Sequence, residues 1–155
     1  MPQSYVSLPI HVVFSTKNRE PFIHEDWEQR LYEYVGGIVR NEKCILLAAG
    51  GMPDHVHLLL SLSRERSIAE IMRVVKTNSS RWIHNVIPTC AAFAWQPGYG
   101  AFAVSQSNIE KVRTYITKQR EHHRTMTFKD EFIALLKRHG IGYDERYLWT
   151  AESDE

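Results

Sequence analysis

Two histidines one residue apart, His55 and His57, are the first candidates for chemistry in this chain. In a strand, side chains two apart share a face, so the two imidazoles stand side by side. Side-by-side imidazoles can grip one cation and leave its other positions open to a ligand. The alternates Val56, Leu58, Leu60 and Leu62 are all apolar and must face a core, so the histidines face the other way. Other His-x-His chemistries need features that are missing. A metal-dependent amidohydrolase barrel needs far more chain. A cupin needs a glutamate a few residues on, and 58–63 holds none. A zinc deaminase needs His-x-Glu and Pro-Cys-x-x-Cys. A chance triplet on an ordinary strand stays open as the competing reading.

The second candidate is Tyr115. On a helix over 108–122 the apolar stripe is Ile109, Val112 and Ile116. At 100° per residue Tyr115 sits roughly 90° from that stripe, at its edge. Gln119 follows one turn on, on the same side, and Arg113, Lys118, Arg120 and Arg124 surround them in sequence. A tyrosine beside a ligating amide and several cations suits attack on a phosphodiester. A packed or snorkelling tyrosine fits the same spacing.

The elements that must position these groups follow from periodicity and caps. Residues 5–15 alternate as a strand, with Leu8, Ile10, Val12 and Phe14 on one face. A helix follows Pro21, carrying Trp27, Leu31, Tyr34, Val35 and Ile38, with Gly36-Gly37 weakening its second half. Residues 44–49 read as a buried strand, 50–54 as a turn and 55–62 as an antiparallel strand. Ser67 and Glu70 form a capping box that opens a helix closed at Pro88. A short strand near 101–105 precedes the tyrosine helix, which a second box at Ser107 and Glu110 would start. A last helix spans about 128–139 and stops at Gly140. The order predicts an α+β, ferredoxin-like or RRM-like βαββαβ antiparallel sheet with helices on one face and the other face open, plus C-terminal helices that carry the tyrosine.

Composition bounds the rest. The chain has 155 residues, 43% hydrophobic and 24% charged, which suits one globular domain over 1–155 with a core at about 4–140 and an acidic tail at about 144–155. Cys44 and Cys90 form no CxxC pair, and no long apolar run or leader is visible, so a cytoplasmic chain off the membrane is expected. Net charge is only +1, yet 44–138 holds 13 basic against 7 acidic residues, with the balance reversed toward the C-terminus. Such a distribution can hide a polyanion site behind a neutral sum.

Taken together, Gly51-Met52-Pro53-Asp54-His55-Val56-His57-Leu58-Leu59 resembles the His-hydrophobe-His (HUH) motif of the single-tyrosine transposases of small insertion sequences, to which the REP-associated tyrosine transposases are related. The resemblance continues in Phe14-Ser15-Thr16-Lys17, in Trp95-Gln96-Pro97-Gly98-Tyr99-Gly100-Ala101-Phe102 and in the run from Tyr115 to His123. It covers nearly the whole chain in the family's order.

The resemblance implies that His55, His57 and Gln119 are metal ligands, that Tyr115 is the nucleophile, and that the ion is Mg2+ or Mn2+. It also implies cleavage and rejoining of hairpin-bearing single-stranded DNA through a 5′-phosphotyrosine. The partner would be a second copy of the chain, with the tyrosine of one subunit serving the histidines of the other. Lys17, Arg19, Lys76, Arg81 and Lys118 are candidate phosphate partners, and Trp82 or Trp95 candidate stacking platforms that also fit core positions. The competing function is a non-catalytic or domesticated single-strand nucleic-acid-binding protein on the same sheet. An RNA-recognition module lacks its aromatic strand motif here. Replication initiators and relaxases share the chemistry but differ in size and in the order of histidines and tyrosine.

Overall fold

The computed structural model of the chain describes residues 3–123 and 125–149. Arg124 and residues 150–155, which hold the end of the expected acidic tail, lie outside them.

Strand β1 (Pro9–Ser15) is shorter than its alternation suggests, because Tyr5 and Val6 are exposed and find nothing to pack on. Helix α1 (Glu25–Asn41) runs unbroken through Gly36-Gly37. Strands β2 (Ile45–Met52) and β3 (His55–Ser61) pair in antiparallel register from Ile45 opposite Ser61 to Met52 opposite His55. The two glycines expected in the turn therefore belong to β2, and the turn itself is Pro53-Asp54. Helix α2 (Ile68–Val86) starts at the expected capping box: Glu70 N–H donates to Ser67 Oγ and Ser67 N–H to the Glu70 carboxylate. Strand β4 (Gly100–Ala103) completes a sheet of order β2-β3-β1-β4.

On one sheet face Val12, Phe14, Val56, Leu58 and Leu60 pack with Leu31, Val35, Ile71 and Val75 of α1 and α2 into the main core. Cys44 and Cys90 are buried there. Burial of such side chains contributes about 1.5–3 kcal/mol each.

The other face is not left open. Helices α3 (Ile109–Thr117), α4 (Gln119–His122) and α5 (Phe128–Arg138) fold back over it, followed by the short α6 (Glu145–Leu148). Val13, Phe102, Phe128, Leu135 and Leu136 form a second cluster there. The expected single helix over 108–122 breaks at Lys118, whose backbone leaves helical geometry (φ −107°, ψ 29°), and no side chain caps α3 at Ser107 or Asn108. Among the described residues no helix is long and apolar enough to cross a membrane.

Candidate metal centre and its tyrosine

His55 and His57 project from β3 away from the main core and are fully buried beneath the C-terminal helices. Helix α3 reaches them because β2 carries a glycine where the two touch. A Cβ on Gly50 would stand 2.2 Å from the carbonyl oxygen of Ile116, so only glycine admits this approach. The close contact brings Tyr115 to the histidines, with its ring 5.8 Å from that of His57 in the same chain. Within this single chain the tyrosine and the histidines therefore lie side by side.

Five donor atoms converge. Gln119 Oε1 lies 3.2 Å from His55 Nε2 and 3.1 Å from His123 Nε2. Glu131 Oε1 lies 3.4 Å from His55 Nε2, 3.1 Å from His57 Nε2 and 3.0 Å from His123 Nε2. The second Glu131 oxygen accepts the hydroxyl of Tyr115. Behind each imidazole a partner fixes the ring: Asp54 Oδ1 at 2.7 Å from His55 Nδ1, His11 Nε2 at 2.8 Å from His57 Nδ1, and the Met126 carbonyl at 2.6 Å from His123 Nδ1. Histidines that hold metals are backed in this way, because the outer partner sets tautomer and orientation.

The electrostatics follow from burial and from the Glu131 carboxylate. Burial pulls His57 down to about 4, the nearby Glu131 only partly opposing it. Burial, reinforced by His57, takes His11 to about 3. Burial pulls on His55 too, but its bonds to Asp54 and Glu131 outweigh this and hold it up at about 9. Burial favours a protonated Glu131, yet bonds from His123, His55 and His57 prevail and keep it ionised well below the usual carboxylate range. Tyr115 is raised, first by burial and then by the carboxylate beside it. An unprotonated His57, the ionised Glu131 carboxylate and the Gln119 amide oxygen offer lone pairs to a divalent cation, which would displace the proton that His55 otherwise holds, and His55, His57 and Glu131 are close enough to bind one together.

Gln119 was legible from its spacing to Tyr115. Glu131 and His123 were not singled out, although Glu131 left a signal. It sits between Phe128 and Leu135 on the apolar stripe of α5, where an unpaired carboxylate does not belong.

The IS200-like transposase family model matches residues 4–119, most of the chain. The chain belongs to that family. As a transposase it is similar to the ISDra2 transposase TnpA of Deinococcus radiodurans, 24% identical over 119 residues that span 74% of this chain and 85% of that protein. The crystal structure of a Deinococcus radiodurans transposase superposes with a TM-score of 0.63 at 25% identity, covering 75% of this chain and 94% of the other. A REP-associated tyrosine transposase bound to a REP hairpin shares the fold, at TM-score 0.54, 16% identity and coverage of 75% and 68%.

On this transposase the five candidate phosphate partners are scattered. Lys118 and Arg81 are exposed, and Arg81 leans on Asn78. Lys17 is half-buried in the turn after β1, as is Arg19. Arg19 has a left-handed backbone (φ 56°), stacks on Trp149 at 5.1 Å and lines a groove with Asp54 and His123. Its Nη1 is buried with no hydrogen-bond partner among the described residues. Lys76 is already engaged, donating to the carbonyls of Gln96 and Gly98 and so bracing that loop. Trp82 stacks on Tyr34, and Trp95 packs on Phe14 and Phe93 while donating to Ser79, so both serve the core. A cleft of about 320 Å³ that sequence spacing did not reveal opens beside Tyr115, with Lys111, Arg138, His139 and Asn108 in its walls.

Proposed function

We propose that this transposase cuts and rejoins single-stranded DNA through a 5′-phosphotyrosine at Tyr115, taking hairpin-bearing element ends as substrate. The observation that carries the reading is the carboxylate of Glu131, which spans the Tyr115 hydroxyl and the imidazoles of His55 and His57. The nucleophile thereby has a fixed place beside the metal donors.

A divalent ion, Mg2+ or Mn2+, held by His55, His57 and Gln119 would polarise the scissile phosphate and neutralise charge that builds on it. The strand enters by the cleft beside Tyr115, where Lys111 and Arg138 offer charge to the backbone. Arg19, Lys17, Arg81 and Lys118 extend contacts to DNA farther out. Tyr115 Oη attacks phosphorus as its proton leaves along the hydrogen bond to Glu131. The DNA 3′ oxygen departs and the 5′ phosphate stays on the tyrosine. A later 3′-hydroxyl reverses the exchange, so no water and no external energy source are consumed. Assembly as a homodimer belongs to the same reading. The fold of a hairpin-bound REP-associated relative supports a hairpin substrate.

A labelled hairpin oligonucleotide incubated with divalent ion tests the reading. Wild type should give an adduct that survives a denaturing gel, whereas Tyr115→Phe should bind the oligonucleotide and give none. A Phe variant that still forms the adduct contradicts it. A wild type that binds but never cleaves under any divalent ion favours the non-catalytic alternative.

A further inference from the structure

We propose that His123 and Glu131 complete the metal site as fourth and fifth ligands, and that the resulting set of three imidazoles, one carboxylate and one amide oxygen selects a transition divalent ion over magnesium. This rests on the reading of His55, His57 and Gln119 as ligands and extends it. Both added residues lie beyond residue 119, where the match to the family model ends.

Hydrogen-bond chemistry requires something among these atoms. Nδ1 of His55 faces a carboxylate oxygen of Asp54 and Nδ1 of His123 faces the Met126 carbonyl, so each must carry the ring proton. In the neutral rings, Nε2 of both is then a bare lone pair. Both lone pairs point at oxygens, Gln119 Oε1 and Glu131 Oε1, which have only lone pairs to offer in return. Either each ring takes a second proton or a cation sits between them.

The spacing fits the cation. Bonds of about 2.1 Å place neighbouring donors roughly 3.0 Å apart in an octahedral sphere and roughly 3.4 Å apart in a tetrahedral one. The separations between a ring Nε2 and the Gln119 or Glu131 oxygen it faces run from 3.0 to 3.4 Å. Magnesium favours oxygen ligands and keeps much of its water, whereas imidazole-rich sets suit manganese through zinc. Glu131 also joins the ion to the nucleophile, since its other oxygen holds Tyr115.

The test uses the full chain stripped of metal by chelation and then titrated with Mn2+, free ion being followed by electron paramagnetic resonance. Wild type should bind one equivalent and hold it against a hundredfold excess of Mg2+. Pulsed resonance on the bound Mn2+ should report three imidazole nitrogens, which requires no variant and so does not depend on one folding. Glu131→Gln and His123→Gln, checked for folding by circular dichroism, should each weaken Mn2+ binding by about tenfold or more. The His123 variant should also lose one imidazole signal.

Displacement by equimolar Mg2+, a count of two imidazoles, or wild-type affinity in both variants would overturn the proposal. A paired His55→Ala, His57→Ala protein separates this outcome from failure of the underlying reading. Loss of binding there with full binding in the His123 and Glu131 variants defeats only the two added ligands. Undiminished binding there defeats the metal site altogether.

Discussion

The Tyr115 hydroxyl donates to one oxygen of Glu131 while the other oxygen of that carboxylate stands 3.1 Å from Nε2 of His57. A residue on α5, nine positions beyond the end of α4, therefore sets the distance between the Tyr115 hydroxyl and the imidazoles. The arrangement also explains why the sheet face is closed. Glu131 can reach the histidines only if α5 lies across them, and Phe128, Leu135 and Leu136 provide the apolar surface that keeps it there.

Gly50 is the point on which the tyrosine helix rests. Gly50→Ala places a methyl group against the Ile116 carbonyl, a contact that α3 can relieve only by moving off β2. The expected cost in urea unfolding is about 1–3 kcal/mol, the usual range for forced overpacking. Adduct formation should fall as Tyr115 is displaced. Unchanged stability and cleavage would show that α3 does not depend on this contact.

In the proposed reading, Lys111 and Arg138 in the cleft beside Tyr115 meet the DNA backbone. Lys111→Ala and Arg138→Ala should weaken single-strand binding for every sequence tried. Each should also lower the slope of log affinity against log salt by about 0.7, the value for one lost phosphate contact on a single strand. Lys76→Ala is expected to leave that slope unchanged, because its ammonium is engaged by backbone carbonyls. A full slope in the Lys111 and Arg138 variants would move the DNA path elsewhere.

Much of the fold was legible because its signals are local. Alternation in β3, the Ser67-Glu70 box and the spacing of Tyr115 to Gln119 each lie within a few residues, and each reappears in three dimensions. The closed face was not legible, since it depends on helices folding back across a sheet whose other strands are far away in sequence. The same non-local dependence hid Glu131 and His123. Gly50-Gly51 was misplaced into the turn for a related reason: their missing side chains serve a neighbouring helix and the opposite strand, and a turn uses glycine equally well. Lys76 looked like a surface cation on α2 because nothing nearby in sequence shows the 96–98 loop lying against it.

Lys76 also gives a pH dependence with a definite sign. Burial holds its ammonium down at about 8 against an ordinary 10.5. Between these values the unfolded chain keeps a proton that the folded chain has released, so this residue makes stability rise with pH across that window. The difference in unfolding free energy between wild type and Lys76→Met isolates the effect from other titrating groups. Wild type should gain on the variant from about pH 8 to pH 10, and a flat difference would show that the ammonium is not desolvated.

The most direct measurement locates the covalent bond. Wild-type protein is incubated with a hairpin-bearing single strand and Mn2+, the DNA is trimmed by nuclease, and tryptic peptides are read by mass spectrometry. Cleavage after Arg113 and Lys118 isolates Tyr115 as the lone tyrosine of the peptide Thr114-Tyr115-Ile116-Thr117-Lys118. The expected result is a nucleotide joined through its 5′ phosphate to that peptide, present with the ion and absent after chelation. Attachment to any other tyrosine, or cut DNA with free 5′-phosphate ends and no modified peptide, would contradict it.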